Sequence, residues 1–354
     1  MFCNNSSREL ILSHNASYPR LEVEDLLKLL YQSAFGCEHL VSSYGAALSR
    51  IKEEYESGAR ASETVTSLGG DFCRVSLGIL DTGLSFETFT RLFVLSAEEK
   101  GGGKTALLSG ISAARELAGE GAFSFSLSEL DEALASWAES GYPAVRHSER
   151  YRESYLPSYR VIAKRYIPVL PLLARIDGAL GRSERTVLAI EGGSASGKST
   201  LSQLLARLYG ASVIHADDFF LRPEQRTPER LCEVGGNLDR ERLLSEVLLP
   251  LSRGEAFFYR PYDCSLGALS EPVKIEKAPL TVVEGAYTMH PELRKFYDLS
   301  AFLEVSSELQ RVRILKRNSQ GIAERYFAEW IPLENRYFAE MNVKDSCSLL
   351  LSTE

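Results

Sequence analysis

Apolar positions in the first half of the chain recur at intervals of three and four residues. Leu26, Leu27, Leu29 and Leu30 form one such set, and Leu40, Ala46, Leu48 and Ile51 form another. That spacing puts side chains on one face of an α-helix. The same pattern predicts helices over residues 85–96, 105–118, 127–138 and 157–180, broken by Gly69-Gly70 and by Gly101-Gly102-Gly103. Period-two alternation is scarce, so residues 1–180 are expected to form a mostly α-helical domain.

The pattern changes after the polar segment Gly181-Arg182-Ser183-Glu184-Arg185. The apolar run Thr186-Val187-Leu188-Ala189-Ile190 that follows reads as a buried parallel strand. Strands over 212–215, 280–283 and 301–305 then alternate with helices over 239–251 and 308–317. This alternation predicts an α/β domain over residues 181–354, with a parallel sheet of the P-loop NTPase type and flanking helices.

Composition agrees with two folded domains. The chain has 354 residues, 44% hydrophobic and 25% charged, enough for two hydrophobic cores and unlike a disordered chain. A net charge of −8 argues against nucleic acid as the main partner. No apolar run reaches the roughly 18 residues of a membrane helix, and the N-terminus lacks the features of a signal peptide. A cytoplasmic protein without a membrane partner is expected, and a homo-oligomer is left open. Cys3, Cys37, Cys73, Cys232, Cys264 and Cys347 form no CxxC pair, so reduced thiols are expected.

Candidate chemistry is concentrated just after the strand at 186–190. Gly192-Gly193-Ser194-Ala195-Ser196-Gly197-Lys198-Ser199-Thr200 matches G-x-x-x-x-G-K-[ST], with a strand before it and a helical run from Leu201 to Tyr209 after it. Glycines let such a loop curl its amide N–H groups toward phosphate oxygens, and the helix N-terminus favours negative charge. Lys198 is expected to reach the β- and γ-phosphates of ATP, and Ser199 to place its hydroxyl on Mg²⁺. Gly101-Gly102-Gly103-Lys104-Thr105 is a superficial match only. Glu98 stands where the first glycine belongs, and residues 91–100 read as a helix end rather than a strand.

Two predicted strands end in acids. Asp217 and Asp218 follow residues 212–215, and Glu284 follows Leu280-Thr281-Val282-Val283. Strand ends of a parallel sheet lie beside bound phosphates. There, an acid at 217–218 can activate an acceptor hydroxyl, and Glu284 can bind Mg²⁺ or its water.

These residues resemble the uridine kinase and phosphoribulokinase family of P-loop kinases, over about residues 186–338. The phosphate loop is very like the family's own. Asp217-Asp218-Phe219-Phe220 looks like its Asp-Ser-Phe-Tyr segment, so the resemblance implies that Asp217 is the catalytic base and helps hold the metal. Asn237-Leu238-Asp239 is similar to the segment whose carboxylate binds ribose hydroxyls, which makes Asp239 an acceptor-site candidate, and Tyr262-Asp263 resembles the Tyr-Asp of the nucleoside pocket. Val283-Glu284-Gly285 is similar to the family's Val-Glu-Gly, whose Glu lies beside Mg²⁺. Lid arginines over the phosphates are expected within residues 310–317, best matched by Arg313 and Arg317. Gly267 is a departure, because the uridine-cytidine kinases carry a base-reading His at that position. The aromatic segment 327–338 is expected to dock on the sheet, with packing of the lid against the acceptor site as the alternative.

In the first domain, residues 142–160 are dense in Arg, Tyr and Ser with one His, His147. That mixture suits an anionic, ring-bearing ligand and also a solvated domain seam, the reading preferred on sequence. Together these features suggest a kinase that uses ATP and Mg²⁺ to phosphorylate a hydroxyl of a nucleoside-like, sugar or polyol acceptor. Two other readings stay open: an ATP-binding regulatory switch whose helical domain engages a partner protein, and a helical half that is a second enzyme.

Overall fold

The structure, a computed structural model, describes residues 7–58 and 63–353. Cys3 lies outside them, and among the described residues the other five cysteines are free thiols. The chain forms two compact units, one ending at Leu170 and one beginning at Pro171. Among the described residues no helix is long and apolar enough to cross a membrane.

The first unit is mostly helical. Helices Val23–Phe35, Phe86–Ala97, Gly103–Gly119 and Leu127–Glu139 carry most of its core. Ser85 and Ser126 cap two of them, each accepting from a backbone N–H three residues on. The glycine run 101–103 links two helices and follows no strand.

A three-stranded antiparallel sheet completes this unit: β1 (Val65–Ser67), β2 (Phe72–Ser76) and β3 (Tyr159–Ala163), in that order. The helix expected over 157–180 is therefore wrong at its start. All of β3 after Tyr159 is buried, so the strand shows no polar alternation, and a short apolar run next to a helix reads as part of that helix. The helix Leu170–Leu180 follows, with Leu172, Leu173 and Ile176 buried.

The second unit is built on five parallel strands. They are β4 (Thr186–Gly192), β5 (Ser212–His215), β6 (Leu280–Glu284), β7 (Leu299–Glu304) and β8 (Leu349–Ser352), in spatial order β8-β7-β4-β6-β5. Every residue of β4 and β6 is buried, which is why these strands read as unbroken apolar runs. The central pairing aligns Glu284 with Ile190 on one side and with His215 on the other. One end of the sheet thereby gathers the phosphate loop, the end of β5 and the end of β6.

The expected helix 239–251 is split into Arg240–Leu243, a π-turn at Leu244–Leu248 and Leu249–Arg253. Pro250 cannot donate a backbone hydrogen bond, and a widened turn before it accommodates the loss. A second π-turn, Tyr326–Trp330, precedes Pro332 in the same way and leads into the helix Ile331–Glu340. Strand β8 and two short hairpins, Phe257–Tyr259 with Val273–Ile275 and Tyr262–Asp263 with Ala268–Leu269, go beyond the sequence reading.

Candidate active site

The phosphate loop grows directly out of β4. Gly192 ends that strand and Lys198 opens the helix Lys198–Tyr209, so the turn consists of Gly193, Ser194, Ala195, Ser196 and Gly197. Backbone φ angles of 148° at Gly192, 58° at Ala195 and 103° at Gly197 curl it. Glycine adopts such angles at no steric cost. Lys198 Nζ donates to the carbonyls of Gly192 (2.8 Å) and Gly193 (3.0 Å), folding the ammonium back on the loop. Ser196 Oγ is buried with no hydrogen-bond partner. An unpaired hydroxyl in the bend of a loop of this shape fits a phosphate oxygen.

The strand-end carboxylates meet this loop. Glu284 Oε1 accepts from Ser199 Oγ at 3.0 Å and lies 2.6 Å from His215 Nδ1, while only 4% of Glu284 is exposed. Burial pushes the Glu284 carboxyl up, but His215, Lys198 and Ser199 together hold it below the usual value. The hydrogen bond to Glu284 is the main force raising His215, which favours its protonated form. Asp217 is exposed at the mouth of the site. Crowding by the surrounding protein raises its pKa; Lys198 and His215 oppose this, whereas Glu284 and Asp218 add to it. A carboxylate with a raised pKa beside a phosphate loop is suited to accepting a proton. Ser199, Glu284 and Asp217 offer hard oxygen ligands, the donor set that Mg²⁺ takes when phosphate and water complete its shell.

No family model matches the chain. The uridine kinase of Clostridium perfringens is 26% identical over 146 residues, covering 39% of this chain and 69% of that protein. The uridine kinase of Chloroflexus aggregans is 30% identical over 149 residues, covering 39% of this chain and 69% of the relative. Over part of its length, this chain belongs to the uridine kinase-like P-loop kinases. Among solved structures, one described as a possible uridine kinase from Bacillus stearothermophilus is 20% identical, with a TM-score of 0.38, covering 51% of this chain and 98% of that one.

Other residues singled out on sequence fall in different places in this kinase. Asp239 is buried at 2% exposure, with both oxygens engaged. Its Oδ1 caps the helix Arg240–Leu243 by accepting from Arg242 N (3.1 Å), and its Oδ2 accepts from Gln225 Nε2 (2.8 Å). The amide of Gln225 is therefore fixed by the carboxylate expected to meet the acceptor. Tyr262 is also buried, and its hydroxyl accepts from Arg226 Nη2 at 3.2 Å. A side chain at Gly267 would begin 4.0 Å from that hydroxyl, so the tip of the hairpin does face Tyr262.

The two arginines separate. Arg313 donates to the carbonyl of Ala195 (3.1 Å) and to the carbonyl of Thr353 (2.9 Å), tying the loop to the end of the chain beyond β8. Arg317 is exposed and donates to the Tyr326 hydroxyl at 3.4 Å. Thr200 is exposed on the first turn of the helix after the loop.

Two acids that sequence reasoning missed touch the loop. Glu334 is 6% exposed and accepts from Ser194 N (2.8 Å) and Ser194 Oγ (2.6 Å). Burial raises its pKa, while Ser194 and Lys198 oppose the rise. Gln310 Nε2 donates to Ser194 O at 2.8 Å, so helices from two later segments hold this one loop residue. Glu191, fully buried, accepts from Gly192 N and Met289 N (both 3.0 Å) and from the Tyr337 hydroxyl (3.1 Å). Burial pushes Glu191 up to about 7. An acid immediately before the first glycine of the loop was the available signal for Glu191. Glu334 had none, because it lies 140 residues from Ser194.

Proposed function

We propose that this kinase moves the γ-phosphate of ATP onto a hydroxyl of a small nucleoside-like, sugar or polyol acceptor in the cytoplasm. The observation that carries the reading is the convergence of Ser199, Glu284 and His215 on one another, beside Lys198 and with Asp217 in electrostatic reach. Asp217 takes the proton of the acceptor hydroxyl as its oxygen attacks the γ-phosphorus. Lys198, released from the Gly192 and Gly193 carbonyls, follows the charge on the transferring group. Ser199, Glu284 and Asp217 would hold Mg²⁺, which when bound neutralises charge on the phosphate oxygens. Gln225, fixed by Asp239, and Arg226, fixed by Tyr262, offer donors toward the acceptor. Gly267 leaves no imidazole near Tyr262 to read a uracil ring, so the acceptor is expected to differ from uridine.

The test is an ATP-consumption screen over nucleosides, sugars, polyols and cofactor precursors. One ADP per phosphorylated acceptor is expected. Asp217→Asn should lower kcat by about 10²–10⁴-fold, the usual worth of a general base, with ATP affinity nearly unchanged. Full transfer activity in Lys198→Ala would overturn the proposal. ATP hydrolysis without any acceptor would favour the switch.

A further inference from the structure

Residues 142–160 combine exposed side chains, Arg146, Glu149, Arg150 and Arg152 among them, with buried ones. His147, Tyr151, Ser158 and Arg160 are buried inside the first unit, where they meet the helix Val23–Phe35 and strand β2. Asp25 Oδ1 accepts from His147 Nδ1 (2.7 Å) and Ser148 N (3.1 Å), and Asp25 Oδ2 accepts from Ser148 Oγ (2.7 Å) and Glu22 N (3.0 Å). Because the carboxylate only accepts, His147 carries its proton on Nδ1. Its Nε2 then accepts from the Tyr159 hydroxyl at 2.7 Å. All the accepting capacity of Asp25 is spent within this relay.

Next to the relay lie two cations, Arg74 and Lys28, that share its Asp25 carboxylate as a nearby counter-charge without an ion pair to it. Arg74 is 4% exposed, and its guanidinium lies 4.6 Å from the centre of the Tyr159 ring. Its Nε and Nη2 both donate to the neutral Gln32 Oε1, at 3.0 and 2.8 Å, while Nη1 is buried without a partner. Arg74 makes no ion pair among the described residues, and neither does Lys28, half-buried on the same helix as Gln32 and Asp25. His14, 5% exposed, also leaves Nε2 buried and unpaired. Its ring is stacked on Tyr151, which is stacked on His147. A buried guanidinium facing only a neutral amide carries a large desolvation cost, and folded proteins offset such a cost with an anion.

We infer that the first unit binds a phosphate monoester through Arg74 Nη1 and Lys28, with the His14 imidazole as a neutral neighbour. Arg74 and Lys28 against the single charge of Asp25 leave a net positive charge, which suits a phosphate monoester that carries about −1.5 to −2 at pH 7. A planar guanidinium with one nitrogen free suits its oxygens. Burial and the Arg74 charge bring Lys28 down to about 8, against the opposing pull of Asp25. Exposed Arg146, which also acts on Lys28, extends positive charge to the surface and would steer an anion inward. The site does not depend on what the second unit transfers.

Crystals of the full chain soaked in tungstate, a heavy phosphate analogue, test the location. An anomalous peak against Arg74 Nη1 and Lys28 Nζ is expected. A peak only at the phosphate loop, or an ordered water alone on Nη1, overturns the inference. In solution, calorimetry with inorganic phosphate and ribose 5-phosphate is run on full-length Lys198→Ala protein to weaken binding at the loop. Adding Lys28→Gln or Arg74→Gln should weaken binding by about tenfold or more, the worth of one charge-assisted hydrogen bond. Lys28→Arg should restore most of it. If Arg74→Gln does not fold, the half-exposed Lys28→Gln still decides, and affinity unchanged by it refutes the site.

Discussion

Replacing Gly285 with alanine tests whether the carboxylates proposed for catalysis are set by one close contact. Gly285 follows Glu284 at the end of β6 with φ of 148°, and its N–H donates to Ile190 O at 3.1 Å. A Cβ there would lie 2.6 Å from the Cβ of Ala216, 3.3 Å from its N and 3.4 Å from its Cα. Ala216 is 1% exposed and cannot swing away. It also stands between His215 and Asp217, so whatever moves it moves both. Backbone strain of about 1–3 kcal/mol and overpacking of about 1–3 kcal/mol add to an expected loss of about 2–6 kcal/mol. Gly210→Ala is the control. Its φ is 64°, but nothing lies within 4 Å of the new Cβ, so only about 1 kcal/mol of backbone strain is expected. Urea unfolding of both variants isolates the contact, and ATP-dependent transfer measures its effect on chemistry. A displacement near 1 Å should lower kcat by about 10²-fold. If Gly285→Ala is no less stable than Gly210→Ala and retains wild-type turnover, the Ala216 contact does not position the site.

Glu191 gives a pH prediction whose sign is fixed by its raised pKa of about 7. The folded state holds this proton more tightly than the unfolded chain, so the stability it contributes is complete below about 4.5 and is lost as pH rises through about 7. Relative to Glu191→Gln, the wild type should lose up to about 3 kcal/mol over that interval, read from urea midpoints at pH 5 and pH 8; an equal difference at both pH values refutes the assignment. Glu334→Gln can keep both contacts with Ser194 while removing a negative charge that lies within reach of Lys198. Calorimetry should find ATP bound about threefold to tenfold more tightly, and weaker binding would show that the carboxylate serves the nucleotide directly.

The parallel sheet was legible because its strands are buried on both faces. Thr186–Gly192 and Leu280–Glu284 read as apolar runs, and the residues ending such runs must lie at one edge of a parallel sheet. Lys198, Asp217 and Glu284 could therefore be named before any coordinates. Asp239 also carries a local signal of another kind. Its place before Arg240-Glu241-Arg242 is also that of a helix cap, and in the fold the cap takes one of its oxygens. Strand β3 was missed for a different reason. Its burial erased the alternation that marks a half-exposed strand, and the helix behind it supplied a competing period.

What separates the two units is the sequence distance over which their chemistry is assembled. In the second unit Asp217 and Glu284 inherit their positions from β5 and β6, so a window of ten residues contains both the acid and the reason for its placement. In the first unit no such window exists. His147 reaches Asp25 across 122 positions, Arg74 reaches Gln32 across 42, and Tyr159 arrives on a strand that periodicity reads as helix. A composition rich in Arg, Tyr and Ser fitted either a ligand site or a wet surface, and only burial distinguishes them. Burial turns an ordinary surface arginine into a cation with one amide partner and an unpaired nitrogen. The unpaired nitrogen of Arg74 is thus a property of the tertiary fold, and that is why the first unit's chemistry was hidden while the phosphate loop was plain.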